Sequence, residues 1–214
     1  MEENIIKIGL SLLPSRNKTE SQIVTRSILQ SFDSDNIAGK TDVKYDLEPG
    51  GRPFFPDNHA DFSISHSRNM AAIAYLSALN PGSIHKIGCD IQYADPRKNF
   101  TGISREFFHY VENDYIFSGI ANDRYFRFYI LWTLKEAWLK KHGLSVFDMK
   151  QAPAFINDDS LGNHDFKTFV WRLESDNGEY YMLAVITESQ TGSDPCIEWF
   201  SQERLSITPV KIFR

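Results

Sequence analysis

Two acidic side chains in apolar surroundings have the clearest chemical potential in this sequence. Asp90 follows Ile87-Gly88-Cys89, an apolar run whose glycine lets another segment approach the backbone closely. Glu136 is spaced i, i+4 and i+8 with Trp132 and Lys140, so the three would form one stripe of a helix. Because a Trp favours burial, this stripe is expected to face inward or into a cleft, where a charge pair is costly without a ligand.

Together, Asp90 and Glu136 could bind a hard cation. Mg²⁺ prefers one or two protein carboxylates combined with phosphate oxygens and water. Each residue also has an ordinary structural explanation. An Asp after a strand often forms a turn, and a Glu four residues before a Lys is a common surface pair that stabilises a helix by about 0.3–0.5 kcal/mol. Spacing alone therefore leaves both a metal site and a structural role open.

Motifs of several other enzyme classes are incomplete. Gly39-Lys40-Thr41 resembles the end of a phosphate-binding P-loop, but the loop needs a glycine where this chain has Ser34. The sequence contains no Gly-x-Ser-x-Gly motif of serine hydrolases, and no pair of histidines has zinc-ligand spacing. The remaining candidate chemistry is therefore that of Asp90 and Glu136.

Composition and charge narrow the possible partners. The chain has 214 residues, 42% of them hydrophobic, and a formal net charge of −5. An acidic balance argues against a general binder of nucleic acid or of anionic membranes, because both need broad basic faces. The apolar stretch 5–13 contains Lys7 and is followed by Pro14, which is unlike a secretory signal, and no later run is long enough to span a bilayer. These features predict a cytoplasmic protein.

The pattern of elements predicts a mixed α/β fold with two α/β halves, residues 1–100 and 101–214. Apolar periodicity and turn residues place the individual elements. Ser104 is a possible N-cap, and Gly143 follows three cationic residues as a helix terminator. We predict strands at 5–13, 62–66, 70–79, 84–91, 169–174 and 179–187, and helices at 20–32, 104–117 and 123–141.

Four blocks of the sequence, taken in order, resemble the motifs of the surfactin-type 4′-phosphopantetheinyl transferases. They are Gly51-Arg52-Pro53, Phe62-Ser63-Ile64-Ser65-His66-Ser67, Ile87-Gly88-Cys89-Asp90-Ile91 and Trp132-Thr133-Leu134-Lys135-Glu136-Ala137-Trp138-Leu139-Lys140. The resemblance covers roughly residues 15–145. It implies a pseudo-dimer of two similar α/β halves in one chain, with coenzyme A in the cleft between them. It also implies transfer of phosphopantetheine from coenzyme A to a serine of an apo acyl or peptidyl carrier protein, which releases 3′,5′-adenosine bisphosphate.

The resemblance also assigns roles to individual residues. It implies that Asp90 and Glu136 hold Mg²⁺, with Gln92 as a further ligand. It also implies that Glu136 acts as general base and that Lys135 of the same motif is a second catalytic residue, which orients or neutralises the site. The residues implied to contact coenzyme A are Arg52, Pro53, Ser65, His66, Lys140 and, as a loose candidate near the 3′-phosphate, Lys18. Arg52 replaces the Lys that usually precedes this Pro, and an Arg can bind phosphate through two hydrogen bonds.

One departure from the family pattern bears on the metal. Many members carry Glu two residues after the Asp, whereas this chain has Gln92. An amide oxygen can bind a cation but brings no charge and cannot act as a base. This departure favours an alternative function, a non-catalytic module that binds coenzyme A or a carrier protein. A third alternative is a Mg²⁺-dependent pyrophosphate hydrolase. The sequence does not choose among carrier proteins, and we expect a monomer that binds no nucleic acid and no membrane.

Overall fold

The computed structural model of the chain describes residues 5–13, 18–32, 43–77, 85–156, 166–189, 194–201 and 203–211. The side chains of residues 18, 20, 121 and 122 lie outside this description. The elements in chain order are β1 (Ile5–Leu12), α1 (Lys18–Phe32), β2 (Asp46–Leu47), β3 (Pro53–Phe54), β4 (Ala60–Ser67), β5 (Met70–Ser77), β6 (Ile87–Tyr93), α2 (Phe100–Phe107), α3 (Tyr110–Ser118), α4 (Ala121–His142), a 3₁₀ helix (Val146–Gln151), β7 (Phe166–Ser175), β8 (Tyr180–Glu188), β9 (Cys196–Ser201) and β10 (Leu205–Pro209).

Two four-stranded sheets share one pattern of connection. Their strand orders are β4-β5-β1-β9 and β10-β7-β8-β6. In the first sheet β5 lies antiparallel between β1 and β4, and in the second β8 lies antiparallel between β6 and β7. The segments β1-α1-β4-β5 and β6-α4-β7-β8 therefore have the same order and pairing. The prediction of a mixed α/β fold is confirmed, and the repeated pattern supports the idea of two similar halves.

Strand pairing divides the chain differently from the predicted boundary near residue 100. β6 precedes that boundary in sequence but pairs with β8 of the second sheet. β9, near the end of the chain, pairs in parallel with β1 of the first sheet. The sequence position of a strand does not identify its hydrogen-bonding partner, and this is why the sequence places β6 in the first half.

Helices and sheets form four layers. The two sheets pack face to face through apolar side chains such as Ile8, Cys89 and Leu183, all fully buried. α1 covers the outer face of the first sheet through Leu29 and Phe32, and α4 packs against the outer face of the second sheet in a separate apolar cluster. Burial of each large apolar side chain stabilises the fold by about 1.5–3 kcal/mol. None of the described helices is both long and apolar enough to cross a membrane.

The edge strands β4 and β6 are joined by a row of side-chain hydrogen bonds, which we call the polar seam. Alternate residues of β4 point toward β6 and accept hydrogen bonds from its backbone N–H groups, since successive side chains of a strand point to opposite faces. The pairs are Asp61 with Ile87 at 2.7 Å, Ser63 with Cys89 at 2.9 Å, Ser65 with Ile91 at 3.1 Å and Ser67 with Tyr93 at 2.9 Å. The seam fixes the register between the two sheets.

The region between β6 and α4 differs from the single helix predicted at 104–117. Two short helices, α2 and α3, are separated by extended backbone at Phe108 and His109. Asn99 rather than Ser104 caps α2, and Ser104 is buried within that helix. The side chains of His109 and Glu112 form a capping box that starts α3. α4 ends as predicted at Gly143, which has the left-handed φ of 67°.

Candidate active site

The site begins with the close contact of α4 and β6 at Gly88. A Cβ atom added at Gly88 would lie 2.0 Å from the carbonyl oxygen of Ala137 and 2.8 Å from Cβ of Lys141. Only glycine permits this approach without a shift of α4. Since alternate residues of β6 share a face, Asp90 and Gln92 also point toward α4, on the side where Glu136 and Lys140 lie.

Asp90 is the centre of a buried hydrogen-bond network. Its Oδ1 atom accepts from Nζ of Lys140 at 2.6 Å and from Oγ of Ser65 at 2.7 Å. Lys140 also donates to Oγ of Ser65 at 2.7 Å, so the three groups form a triangle. Burial alone would lower the pKa of Lys140, but the charges of Asp90 and Glu136 raise it above its ordinary value. The structure thus brings together Ser65, Asp90 and Lys140, three of the predicted site residues.

Glu136 lies beside the Asp90 network and is linked to it through Gln92. The Nε2 atom of Gln92 donates to Oδ2 of Asp90 at 3.0 Å and to Oε2 of Glu136 at 3.4 Å. Burial, and then the negative charge of Asp90, raise the pKa of Glu136 to about 7. Lys140 and Lys98 lower that pKa by a smaller amount. Two carboxylates that repel each other are thus held together in one pocket.

These residues fit a hard cation such as Mg²⁺. The donor set consists of the two carboxylates of Asp90 and Glu136 and the amide of Gln92, whose Oε1 would replace Nε2 after half a turn of the amide. A divalent cation would relieve the repulsion that raises the pKa of Glu136. Among the described residues no group of three or more His, Cys, Asp and Glu could hold a metal. Two carboxylates and one amide leave the other positions of an ion such as Mg²⁺ to water or phosphate oxygens.

Lys135 lies away from this pocket, and its predicted catalytic position needs correction. Its ammonium forms an ion pair with Glu112 of α3 at 2.9 Å, and both side chains are buried. It also donates to the carbonyl oxygen of Pro153 at 3.1 Å. Lys135 and Glu136 are adjacent on α4, so their side chains leave the helix about 100° apart. Lys135 therefore joins α4 to α3 and to the segment after the 3₁₀ helix.

Arg52 is occupied by contacts near the polar seam. Its guanidinium is buried, forms an ion pair with Asp61 and donates to the carbonyl oxygen of Ile87 at 3.3 Å. Pro53 follows in the short strand β3 and is half-buried. These contacts give Arg52 a structural function at one end of β4 and β6. Its predicted contact with coenzyme A, like that of Pro53, stays a prediction.

His66 and Lys18 are the two remaining residues that are predicted to contact coenzyme A. His66 is exposed on β4, on the face opposite to the seam residue Ser65. Lys18 begins α1, but its side chain lies outside the described residues. The structure does not bring His66 into the Asp90 network, and the roles of both residues stay predictions.

Lys98 is a site residue that the sequence analysis missed. Its half-buried side chain comes from the segment between β6 and α2, and Nζ lies 4.7 Å from the ring centre of Trp132. Burial lowers the pKa of Lys98, and the charges of Glu136 and Asp90 oppose this shift. The available signal was a lysine eight positions after Asp90. Lys98 lies outside any helix or strand, so the periodicity of the sequence does not predict where its side chain points. Only the folded structure shows where the ammonium lies.

Comparison with known proteins gives one family and several relatives. Residues 86–186 match the family model of the 4′-phosphopantetheinyl transferase superfamily. The chain is 31% identical over 113 residues to the 4′-phosphopantetheinyl transferase HetI of Nostoc sp., covering 51% of this chain and 45% of the relative. It is 28% identical over 153 residues to the 4′-phosphopantetheinyl transferase ffp of Bacillus subtilis, covering 68% and 63%. It is 30% identical over 105 residues to the 4′-phosphopantetheinyl transferase Sfp of Bacillus subtilis strain 168, covering 49% and 43%. The chain thus spans about half the length of these relatives.

Proposed function

We propose that this chain is a member of the 4′-phosphopantetheinyl transferase superfamily and moves the phosphopantetheine arm of coenzyme A onto a serine of an apo carrier protein. The second product is 3′,5′-adenosine bisphosphate, and the reaction requires Mg²⁺. The observation that carries the proposal is the convergence of Asp90, Glu136 and Lys140 in one partly buried pocket. All three residues lie within the segment 86–186 that matches the family.

The pocket has the charges that a pyrophosphate substrate needs. The Lys140 side chain is 32% exposed, so its ammonium can reach a phosphate oxygen while it stays hydrogen-bonded to Asp90. Mg²⁺, when bound, would be held by Asp90 and Glu136, with the amide oxygen of Gln92 as a further donor, and would supply positive charge beside the phosphates. Charge-assisted contacts of this kind both position the pyrophosphate and stabilise the charge that develops on it.

Glu136 is the proposed general base, acting directly or through one water. In the transfer step its carboxylate takes the proton of the carrier serine while the serine Oγ forms a bond to the β-phosphorus of coenzyme A. The bond from that phosphorus to the bridging oxygen breaks, and its electron pair leaves with 3′,5′-adenosine bisphosphate. Burial, and then the charge of Asp90, raise the pKa of Glu136 to about 7 in the metal-free site, and a bound cation would lower it again, so that the carboxylate is in the ionised form that a base needs.

The test is to incubate the protein with coenzyme A, Mg²⁺ and several apo carrier proteins, then weigh the carriers. We expect the mass of at least one carrier to rise by one phosphopantetheinyl group. Glu136→Gln should lower the rate by about 100-fold or more, because general bases contribute 10²–10⁴-fold. Glu106→Gln is the matched control, since Glu106 is exposed and pairs with Lys150. Transfer by Glu136→Gln at an undiminished rate would exclude Glu136 as the base.

A non-catalytic binding module is the second candidate, and the position of Gln92 favours it. The amide of Gln92 already donates to both carboxylates, so the pair is bridged by an uncharged group. A module of this kind would bind coenzyme A or a carrier protein without transferring the arm. Binding of coenzyme A with no mass gain on any carrier would support this candidate over the transferase.

A further inference from the structure

Lys98 has an ammonium group with unused hydrogen-bonding capacity next to the proposed pyrophosphate site. Its side chain is half-buried, yet among the described residues its Nζ atom takes part in no hydrogen bond and no ion pair. It lies 4.7 Å from the ring centre of Trp132, one helical turn before Glu136 on α4. An aromatic face attracts a cation but does not satisfy its three N–H donors. Those donors are therefore available to an anionic ligand.

The backbone that carries Lys98 is held in place on both sides. The hydroxyl of Tyr129 accepts from the N–H of Asp95 at 3.0 Å and donates to the carbonyl oxygen of Asp95 at 3.2 Å. Immediately after Lys98, Asn99 caps α2 by accepting from the N–H of Gly102 at 3.2 Å. The ammonium is thus presented by an anchored segment, which reduces the entropy lost when a ligand binds.

We propose that Lys98 is an additional phosphate-binding residue of this site and contacts the pyrophosphate of coenzyme A. This inference rests on the proposed function and names a residue that binds its substrate. Lys140 is paired with Asp90, whereas no carboxylate of the described residues forms an ion pair with Lys98. A cation held by Asp90 and Glu136 would bind the pyrophosphate of coenzyme A. The negatively charged oxygens of the pyrophosphate would then lie toward the ammonium of Lys98.

The electrostatic surroundings of Lys98 indicate that its ligand is a phosphate of coenzyme A rather than an acidic side chain on the surface of the carrier protein. Burial lowers the pKa of Lys98, and the charges of Glu136 and Asp90, in that order, oppose the shift. The ammonium therefore lies near the carboxylates of the proposed reaction centre. Its recessed position over the Trp132 ring suits a small, deeply bound anion better than a side chain on the rim of a carrier protein.

The test measures coenzyme A affinity by calorimetry with the full chain, with Mg²⁺ and without carrier. Lys98→Met keeps the apolar stem over Trp132 and removes the charge, while Lys98→Arg keeps the charge. We expect Lys98→Met to weaken coenzyme A binding about tenfold or more, as the loss of a charged hydrogen bond does. Lys98→Arg should restore most of the affinity. The matched control is Lys150→Met, since Lys150 is an exposed lysine of the 3₁₀ helix outside the pocket.

Further measurements separate this inference from the proposed function. Lys98→Met should raise the KM for coenzyme A and leave the KM for the carrier unchanged. Wild-type affinity of Lys98→Met for coenzyme A, with transfer intact in the wild type, would overturn the role of Lys98 and leave the transferase standing. A raised carrier KM alone would assign Lys98 to carrier docking and also overturn the inference. If the unmodified chain neither binds coenzyme A nor transfers the arm, both proposals fail. Lys98→Gln repeats the comparison should Lys98→Met fold poorly.

Discussion

Ser65 and Asp90 connect the polar seam to the candidate active site. The Oγ atom of Ser65 accepts from the backbone N–H of Ile91 at 3.1 Å and donates to Oδ1 of Asp90 at 2.7 Å. The first bond belongs to the row that joins β4 to β6, and the second orients the carboxylate that also binds Lys140. One hydroxyl of the first sheet therefore positions an acid of the second sheet.

The first prediction compares Ser65→Ala with Ser63→Ala. Each change leaves one buried N–H of β6 without its acceptor, so each should lower the free energy of unfolding by about 1–3 kcal/mol. Only Ser65 contacts Asp90 and Lys140. Ser65→Ala should therefore also lower the transfer rate roughly ten- to a hundredfold, whereas Ser63→Ala should not. Urea unfolding and carrier mass measurements check the pair; equal activity of the two variants would contradict the link.

The second prediction concerns the packing of α4 on β6. Gly88→Ala places a methyl group 2.0 Å from the carbonyl oxygen of Ala137, so α4 must move away from Asp90. We expect a loss of about 1–3 kcal/mol in the free energy of unfolding, together with a loss of transfer activity. Gly178→Asn is the control, because Gly178 has a left-handed φ of 76° but nothing within 4 Å of an added Cβ. A Gly88→Ala variant with wild-type stability and activity would show that this contact is not required.

The third prediction is a pH dependence of stability that Glu136 causes. Its pKa rises from 4.5 to about 7 on folding, so the folded state disfavours the charged form. Below pH 4.5 the group is protonated in both states and costs nothing. As pH rises from 4.5 to 7 the wild type should lose stability relative to Glu136→Gln, by roughly 3 kcal/mol. Urea unfolding from pH 5 to 8 without Mg²⁺ measures this difference, which should be absent for the exposed control Glu106→Gln.

The fourth prediction separates stability from catalysis at Lys135. Lys135→Met leaves the buried Glu112 without its partner and should lower the free energy of unfolding by about 3–5 kcal/mol. The double variant with Glu112→Gln removes the uncompensated charge and should recover part of that loss. The exposed pair of Lys150 and Glu106 offers a control, since Lys150→Met should change stability by at most about 1 kcal/mol. Activity per folded molecule should stay unchanged; a rate defect at normal stability would place Lys135 in the reaction.

The fifth prediction tests the cation site through Gln92. Gln92→Glu replaces a donor between two carboxylates with a third negative charge, so the metal-free variant should have a lower Tm than the wild type. Mg²⁺ should raise the Tm of the variant more than that of the wild type, because binding to the folded state stabilises it. Gln151→Glu is the control, since Gln151 also donates to an Asp carboxylate, at 2.9 Å, but is exposed. If Mg²⁺ changed the Tm of all three proteins by the same amount, Gln92 would not be next to a bound cation.

Much of the site could be predicted from sequence because its spacing is local. The period of an α-helix places Trp132, Glu136 and Lys140 on one stripe, and the alternation of a strand places Gly88, Asp90 and Gln92 on one face. The four ordered blocks then showed a resemblance to one family, whose model matches residues 86–186. The mixed α/β fold and the end of α4 at Gly143 follow from the same local rules.

Only the tertiary structure decided which of these side chains meet. Lys135 and Glu136 are neighbours in sequence, yet one pairs with α3 and the other faces β6, because adjacent helical residues point in different directions. The hydrogen bonds between β4 and β6 and the position of Lys98 over Trp132 depend on contacts between segments far apart in the chain. Helix and strand periodicity cannot predict such contacts. The sequence determined the chemistry available on each element, and long-range packing determined which groups share a pocket.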